Sequence, residues 1–265
     1  MAATQASLAP RLLGVEPVGP ATTYLYLEYV RPARAWPWRE VASTGRVLAQ
    51  LATLHASSTR ATWGEVAAAW DYETELARQA AATLASFEWA SRAPGLAHLR
   101  PYGRPLGRLV GSLPRLRREL LGLPCLGTTL LHGDVHSRNV MLRVRTGREQ
   151  AVFIDWGRAR LGSPLEDVSS WLESLGGWER EVRRRHDTLL RHYLLARGWP
   201  GGLERTLRDA YWLASASNSL AGALAYHLAV AGDARRTARE RGAGAAAARL
   251  HLRVIRRADA LWRAV

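Results

Sequence analysis

Two short apolar segments, joined by a turn and bounded by polar side chains, restrict the fold of this chain more than any other feature. The first segment follows the stretch LLHGDVHSRN, and the second leads into DWG. The alternation of side chains predicts strands over residues 140–144 and 151–154. The sequence between them, RTGREQ, contains the glycine that a tight hairpin turn favours. We therefore predict an antiparallel β-hairpin with a polar loop at its entrance.

This hairpin would bring polar side chains from separate parts of the sequence together. Asn139 precedes the first strand and Asp155 follows the second, so we expect both at one end of the hairpin. Asp134 lies in the entrance loop, close to Asn139 in sequence. Amide and carboxylate oxygens suit Mg²⁺, which takes few protein ligands and keeps water and phosphate oxygens for the rest of its shell. A metal and a carboxylate that accepts a hydroxyl proton are the parts that phosphoryl transfer requires.

The remainder of the chain predicts an α+β protein in which helices dominate. Two N-terminal segments, RLLGVEP and TTYLYLEYV, are typical of strands, and we expect the second to be buried. Apolar positions spaced by three and four residues predict helices over residues 41–55, over residues 71–89, near Leu116 and through most of the sequence beyond Pro164. We expect residues 241–250, RGAGAAAARL, to form a loop that enters the last helix.

Composition restricts the setting in which the chain works. The formal net charge is +14, and all 37 basic residues are arginine. Uniform arginine use in a chain rich in alanine, glycine and leucine indicates a compositional bias rather than selection for nucleic-acid binding. Cys125 is the only cysteine, which excludes an intrachain disulfide and a multi-cysteine metal site. Because no apolar stretch has the form of a signal peptide or a membrane span, we expect a cytoplasmic location and no membrane partner.

The motifs HGDVHSRN and DWG resemble the catalytic loop and metal loop of the protein-kinase-like fold. They resemble most closely those of the aminoglycoside phosphotransferase / choline kinase-like family. Further segments follow in the family's order: YLYLEYV resembles the last N-lobe strand and hinge, LAQLATLHA the first C-lobe helix, and GSPLEDVSSW the segment after the metal loop. The resemblance covers residues 11–171. It implies a remnant of the N-lobe and hinge over residues 1–34 and a mostly helical C-lobe, carrying the catalytic hairpin, over residues 35–265.

The resemblance also implies roles for individual residues, with ATP (or GTP) and Mg²⁺ as cofactors. Asp134 would be the catalytic base, and Asn139 and Asp155 would bind Mg²⁺. The implied nucleotide contacts are the hinge backbone at Glu28 and Val30 and the side chains of Leu142 and Ile154, and the implied supports of the catalytic loop are His132, His136 and Asp167. His136 is equally suited to substrate contact. Asp167 is also expected to cap the helix that follows it.

Ahead of the hinge, the family's nucleotide site has no visible counterpart. There is no Gly-rich strand pair and no phosphate-binding lysine, and Arg11 is the only basic side chain before the hinge. A guanidinium is not equivalent to a compact ammonium. Three explanations stay open: the N-terminal lobe is missing from this sequence, the chain is a natural short form that regulates or scaffolds, or another chain completes the cleft. An incomplete N-lobe exposes strand edges, so we expect homodimerisation through it.

We therefore expect an ATP- and Mg²⁺-dependent phosphotransferase that moves the γ-phosphate to a hydroxyl of a small acceptor. An aminoglycoside-type antibiotic is one candidate, because acidic residues follow the metal loop. These residues are Glu166, Asp167, Glu173, Glu179, Glu181 and Asp187. Ion pairs with the interleaved arginines explain them equally well, and sugar, amino-alcohol or macrolide acceptors fit equally. The alternatives are a kinase-like binding or regulatory protein and a nucleic-acid-binding protein, although the Arg-rich last helix favours a docked helix with a solvated basic face.

Overall fold

A two-stranded ribbon followed by a mostly helical body makes up the structure. The computed structural model describes residues 8–20, 22–58, 71–123, 126–199, 201 and 203–262, so Cys125 lies outside the described residues. The ribbon pairs β1 (Leu12–Gly19) with β2 (Thr22–Leu27) in antiparallel register. A single 3₁₀ turn, Pro37–Arg39, then leads into the helices.

The α-helices fall into one group before the remaining strands and one group after them. The first group is α1 (Val41–Ser57), α2 (Tyr72–Ala90) and α3 (Gly103–Leu121). The second is α4 (Pro164–Gly176), α5 (Arg180–Arg184), α6 (His186–Ala196), α7 (Arg205–Asn218), α8 (Leu224–Gly232) and α9 (Ala238–Trp262). Each predicted helical segment is present. No helix in the described part of the chain is long and apolar enough to cross a membrane.

The segment 241–250 is helical and belongs to α9, so the loop expected there is wrong. Alanine has the highest helix propensity of any residue, and four alanines in succession extend the helix rather than interrupt it. Gly244 is buried against α8, where an added Cβ would lie 2.9 Å from the Ala231 nitrogen. Small residues therefore serve a close helix–helix contact here.

Four short strands lie between α3 and α4 and carry the loops of interest. They are β3 (Thr129–Leu131), β4 (Val140–Arg145), β5 (Arg148–Phe153) and β6 (Arg160–Gly162). β4 and β5 form the predicted hairpin, with Val140 opposite Phe153, and β3 pairs with β6. As a result, the loop that enters β4 and the loop that leaves β5 meet at one end of the hairpin.

A single apolar cluster joins the helices and the inner face of the hairpin. Trp38 and Trp171 pack edge to face near its centre, with ring centroids 4.8 Å apart. From the hairpin, Val140 and Phe153 enter the same cluster. The hairpin is therefore fixed to the helical body, and its loops are presented from a rigid base.

The β1–β2 ribbon stands outside this core. The side chains of β2 are exposed along its whole length, so the expectation that this strand is buried is wrong. In the described residues the ribbon pairs with no third strand. The aromatic and β-branched composition of β2 correctly indicates a strand, but composition alone does not reveal whether another layer covers it.

A buried ion network links α3, β6 and α4. The Glu166 carboxylate lies between the guanidinium groups of Arg117 and Arg160, and all three side chains are almost fully buried. Arg160 also donates a hydrogen bond to the Gly133 carbonyl at 3.2 Å and lies 3.8 Å from the centroid of the Tyr72 ring. This network therefore reaches the loop that precedes β4.

We predict that Glu166→Ala lowers the free energy of unfolding by roughly 3–5 kcal/mol, because two buried guanidinium groups lose the carboxylate they share. Urea-induced unfolding followed by tryptophan fluorescence measures this change. Glu181→Ala is the matched control, since Glu181 forms an exposed pair with Arg184 at 2.9 Å and its loss should cost less than about 1 kcal/mol. Equal effects of the two substitutions would contradict a stabilising role for the buried network.

Candidate functional site

One buried carboxylate fixes the loop that connects β3 to β4. Asp167, in the first turn of α4, accepts hydrogen bonds from the backbone nitrogens of His132 at 2.8 Å and Gly133 at 2.9 Å. The His55 ring lies 3.2 Å from the same carboxylate through Nε2 and 2.8 Å from the Tyr193 hydroxyl through Nδ1. Asp167 thus ties the loop to α4 and α1.

The expectation that Asp167 caps α4 is wrong, because Ser163 occupies the N-cap position. Its burial alone would raise the pKa of the Asp167 carboxyl. The hydrogen bond from His55, the nearby His132 and the Gly133 N–H outweigh burial and hold that pKa below its ordinary value. The positive end of the α4 dipole favours the same ionised form.

His132 lies where a side chain that braces the loop is needed. Its Nδ1 accepts the Asp134 N–H at 3.3 Å, which leaves Nε2 to donate to the Ile154 carbonyl at 2.9 Å. The ring is buried and packs against Trp156 at 4.7 Å between centroids. Burial lowers the pKa of His132, so the neutral ring makes both hydrogen bonds. His132 therefore connects the two loops at this end of the hairpin.

Asp134 and Asn139, predicted to lie together, are in direct contact. Asn139 Nδ2 donates to the Asp134 carbonyl at 3.0 Å and to Asp134 Oδ2 at 3.2 Å. Because these bonds occupy the amide nitrogen, the amide oxygen is the atom left to serve as a ligand. His136 lies alongside, with Nε2 3.6 Å from Asp134 Oδ2 and Nδ1 accepting the Arg138 N–H at 3.2 Å. His136 thus makes a loop hydrogen bond and also lies beside the carboxylate.

The Asp134 carboxyl has a pKa below its usual value. Partial burial acts to raise this pKa, but His136, Arg158 and His132 together lower it. Asp134 is therefore ionised at neutral pH and able to accept a hydrogen bond or a proton from a hydroxyl group. The Arg158 side chain also donates to the Ala221 carbonyl at 3.4 Å, which joins this site to the end of α7.

Asp155 follows β5 at the same end of the hairpin. Ile154 N–H donates to the Asn139 carbonyl at 2.9 Å, so Asp155 comes one residue after a direct contact with Asn139. Its carboxylate is exposed, and its backbone has a φ of 62°, a conformation that costs energy outside glycine and is often found at functional sites. The charges of Asp134 and Asp155 both act on the His132 ring. The three predicted residues therefore converge.

The hairpin register corrects one predicted nucleotide contact. Side chains alternate along β4 and β5, so Asn139, Met141 and Ile154 share one face. Leu142 points to the other face and is buried in the apolar core. Leu142 therefore cannot pack on a ligand beside Asn139, and Met141 occupies the position assigned to it. Counting two residues onward from Asn139 would have identified Met141 from the sequence.

The predicted hinge lies on the same side of the hairpin as Asn139. Glu28 pairs through its carboxylate with Arg143, which shares a face of β4 with Asn139, and the Glu28 N–H donates to the Arg11 carbonyl at 2.9 Å. Val30 is buried. Neither the Glu28 carbonyl nor the Val30 N–H has a backbone partner among the described residues, so these two groups are the ones able to bind a ligand.

The donors at this end of the hairpin fit a hard divalent cation. The Asn139 amide oxygen and the Asp155 carboxylate are oxygen ligands, and the bonds to Asp134 hold the amide in one orientation. Within the ranges that the structure describes, no group of three or more His, Cys, Asp or Glu side chains is arranged to bind a metal. An ion held here would take its remaining ligands from water and phosphate, as Mg²⁺ commonly does.

Comparison with known proteins identifies relatives at the level of family and fold. A family model described as "Phosphotransferase enzyme family" matches residues 9–205. A search of curated protein sequences gave no significant match.

Several solved structures are similar to this chain over most of its length. A putative aminoglycoside phosphotransferase from Ralstonia eutropha has a TM-score of 0.58 and 14% identity, covering 96% of this chain and 78% of that chain. A choline/ethanolamine kinase family protein from Mesorhizobium loti has a TM-score of 0.53 and 17% identity, covering 96% and 80%. A mutant aminoglycoside 2′-phosphotransferase-IIIa in complex with GDP has a TM-score of 0.56 and 13% identity, covering 92% and 76%. These similarities confirm the predicted protein-kinase-like α+β fold.

We predict that Asp167→Asn lowers the free energy of unfolding by roughly 1–3 kcal/mol at pH 7, because charged hydrogen bonds to the loop are weakened. The folded-state pKa of Asp167 lies below its ordinary value, so its stabilisation is complete above an unfolded pKa of about 3.9 and is lost as the pH falls through the folded value. The difference between variant and wild type should therefore shrink below about pH 4. Urea unfolding across this range measures it.

Asp187→Asn is the control for this prediction. Asp187 is exposed and pairs with Arg208 at 3.2 Å, so its substitution should change stability by less than about 1 kcal/mol. A difference for Asp167→Asn that stays constant down to the acid transition would show that its charge does not hold the loop.

Proposed function

We propose, given that this chain belongs to the phosphotransferase enzyme family, that it transfers the γ-phosphate of ATP to a hydroxyl group of a small acceptor in a Mg²⁺-dependent reaction. The family resemblance found in the sequence motifs is confirmed. The observation that carries the proposal is the convergence of Asp134, Asn139 and Asp155 at one end of the β4–β5 hairpin. Phosphoryl transfer depends mainly on positioning and charge stabilisation, which such a cluster supplies.

Each of these residues has a distinct role in the proposal. The Asn139 amide oxygen and the Asp155 carboxylate would hold Mg²⁺. When bound, Mg·ATP supplies the phosphoryl group together with the cation that offsets its charge. Asp134 orients the acceptor hydroxyl and accepts its proton as the oxygen attacks phosphorus. Arg158 helps to keep Asp134 ionised, and it stands next to the position where phosphate charge would be located.

The proposed nucleotide site lies on the face of the hairpin that carries Asn139. Met141 and Ile154 would contact the purine, while the Glu28 carbonyl and the Val30 N–H would bind its edge. Both hinge groups recognise adenine and guanine through backbone hydrogen bonds, so GTP is an alternative donor. A structurally similar aminoglycoside phosphotransferase was solved with GDP.

The second candidate function is a kinase-like binding or regulatory protein that transfers phosphate slowly. The specific observation in its favour is that the sequence contains no lysine and that Arg11 is its only basic side chain before the hinge. A compact ammonium that grips the nucleotide phosphates is therefore missing, and a guanidinium does not replace it. This candidate predicts nucleotide binding without efficient transfer.

The acidic residues after the metal loop do not form a free acidic pocket. Glu166 and Asp167 are buried in contacts with arginines and with the catalytic loop. Glu179 accepts a hydrogen bond from the Trp36 indole at 2.7 Å. These residues have internal partners, so an aminoglycoside-type antibiotic remains one acceptor among sugars, amino alcohols and macrolides.

The basic last helix is docked rather than free, which argues against a nucleic-acid-binding function. In α9, Arg257 stacks 3.9 Å from the centroid of the Trp212 ring, and Arg256 lies 5.3 Å from that of Tyr102. The apolar face of this helix, including Ile255, is buried in the core. Its basic residues thus serve packing as well as solvation.

We predict that Mg·ATP raises the melting temperature by roughly 2–4 °C for each kcal/mol of binding energy and that Asp155→Ala abolishes this shift. Asp134→Asn should keep the shift but slow phosphoryl transfer by about 10²–10⁴-fold, because only the base is lost. Differential scanning fluorimetry with and without Mg²⁺, followed by an ADP-release assay on a panel of hydroxyl compounds, measures both.

Three outcomes distinguish the candidates. A shift without transfer to any hydroxyl compound favours the regulatory protein. Salt-sensitive retention on DNA that ignores Asp155→Ala favours nucleic-acid binding. Absence of any Mg·ATP-dependent shift in the wild type would count against the proposed function itself.

A further inference from the structure

The β1–β2 ribbon presents the largest concentration of exposed apolar side chains in the described residues. Eight of them are 45–61% exposed: Leu12, Leu13, Val15, Val18, Tyr24, Leu25, Tyr26 and Leu27. Half-exposed side chains of this size present about 80–100 Å² each, so the eight together present on the order of 700 Å². This is close to the roughly 800 Å² that each partner buries in a stable interface.

The ribbon also differs in charge from the rest of the molecule. The chain carries 37 basic residues and a formal net charge of +14, yet no arginine occurs from residue 12 to residue 30. The charged residues in that span are Glu16 and Glu28, and Glu28 is paired with Arg143. Two copies of so basic a chain repel each other over most of their surfaces, but not at the ribbon.

The two edges of the ribbon are protected to different degrees. β1 contains Gly14, Glu16 and Pro17 and is interrupted by two irregularities in its register. These are the devices that keep a strand edge from pairing with another chain. β2 reads TTYLYL and contains neither a charge, a proline nor a glycine. The free edge of β2 is therefore the one suited to pairing.

The register determines which backbone groups of β2 face that free edge. The Glu28 N–H donates to the Arg11 carbonyl, so every second residue back from Glu28 bonds toward β1. The backbone groups of Thr23, Leu25 and Leu27 consequently point outward. Pro17, which lacks an N–H, lies opposite Thr23, and its missing donor falls on the outer edge of β1.

We infer that β2 pairs edge to edge with β2 of a second copy of this chain, giving a closed dimer with a four-stranded antiparallel sheet. A twofold axis near Leu25 makes the edge complementary to itself, because an antiparallel strand presents the same donors and acceptors in both directions. Leu25 and Leu27 then face their counterparts on one side of the sheet, and Tyr24 and Tyr26 on the other. This inference does not depend on the proposed catalytic function.

Sedimentation velocity of the full chain tests the dimer directly. The wild type should sediment as a species of twice 29.3 kDa. Leu25→Lys, which places like charges across the axis, and Thr23→Pro, which removes an outward N–H, should each weaken association by about tenfold or more. Val15→Lys is the matched control: Val15 lies opposite Leu25 on the same face, but it belongs to the protected strand and should leave the dimer largely intact.

Two further measurements keep the result interpretable. The first tryptophan in the sequence is Trp36, so tryptophan fluorescence reports folding of the helical body of each variant independently of the ribbon. Raising the salt concentration should strengthen the dimer, since salt screens the repulsion between two basic chains. Binding carried by arginines would weaken instead.

Several outcomes would overturn the inference. A wild type that stays monomeric at about 100 µM would exclude a stable dimer at this edge. Assemblies larger than a dimer would exclude the closed twofold pairing. If Val15→Lys dissociates the dimer as fully as Leu25→Lys, the two ribbons stack through their faces and the edge pairing is wrong.

Discussion

The ionised Asp167 carboxylate is the interaction on which the site depends. Two successive backbone N–H groups, from His132 and Gly133, converge on it, and His55 approaches it from α1. A loop held by its backbone in this way keeps its conformation whatever its side chains bind. Asp134 follows directly, so its position is set by the same carboxylate, and the neutral His132 ring extends the connection to Ile154. Charge buried in the core is thereby converted into geometry at the surface.

The β4–β5 hairpin performs a second task by separating core from site. Its inner face carries Leu142 and Phe153 into the apolar cluster, while its other face carries Asn139, Met141 and Ile154 toward the ribbon and hinge. The period of two along a strand makes this division strict. The same element therefore anchors itself in the body and presents ligand groups, which explains how a short motif specifies a whole site.

Local patterns predicted most of this arrangement, and contacts between distant residues account for what was missed. The convergence of Asp134, Asn139 and Asp155 followed from a turn and two strands, all close in sequence. The buried partners Arg117 and Glu166 carry no local signal, because an ion pair is visible only once α3 and α4 are packed together. In the same way, strand propensity indicated β2 but not its exposure, and alanine-rich sequence was mistaken for a loop where α9 packs closely on α8. Covering layers and close contacts are properties of the assembled fold.

The central claim is that Asn139 and Asp155 hold a divalent ion beside Asp134. A crystal structure of the chain with Mn²⁺ and a non-hydrolysable ATP analogue tests it most directly, through the anomalous signal of the metal. The account predicts a peak about 2.1 Å from the Asn139 amide oxygen and from an Asp155 oxygen, with the nucleotide phosphates completing its shell. A nucleotide-bound metal located away from these two side chains would contradict it.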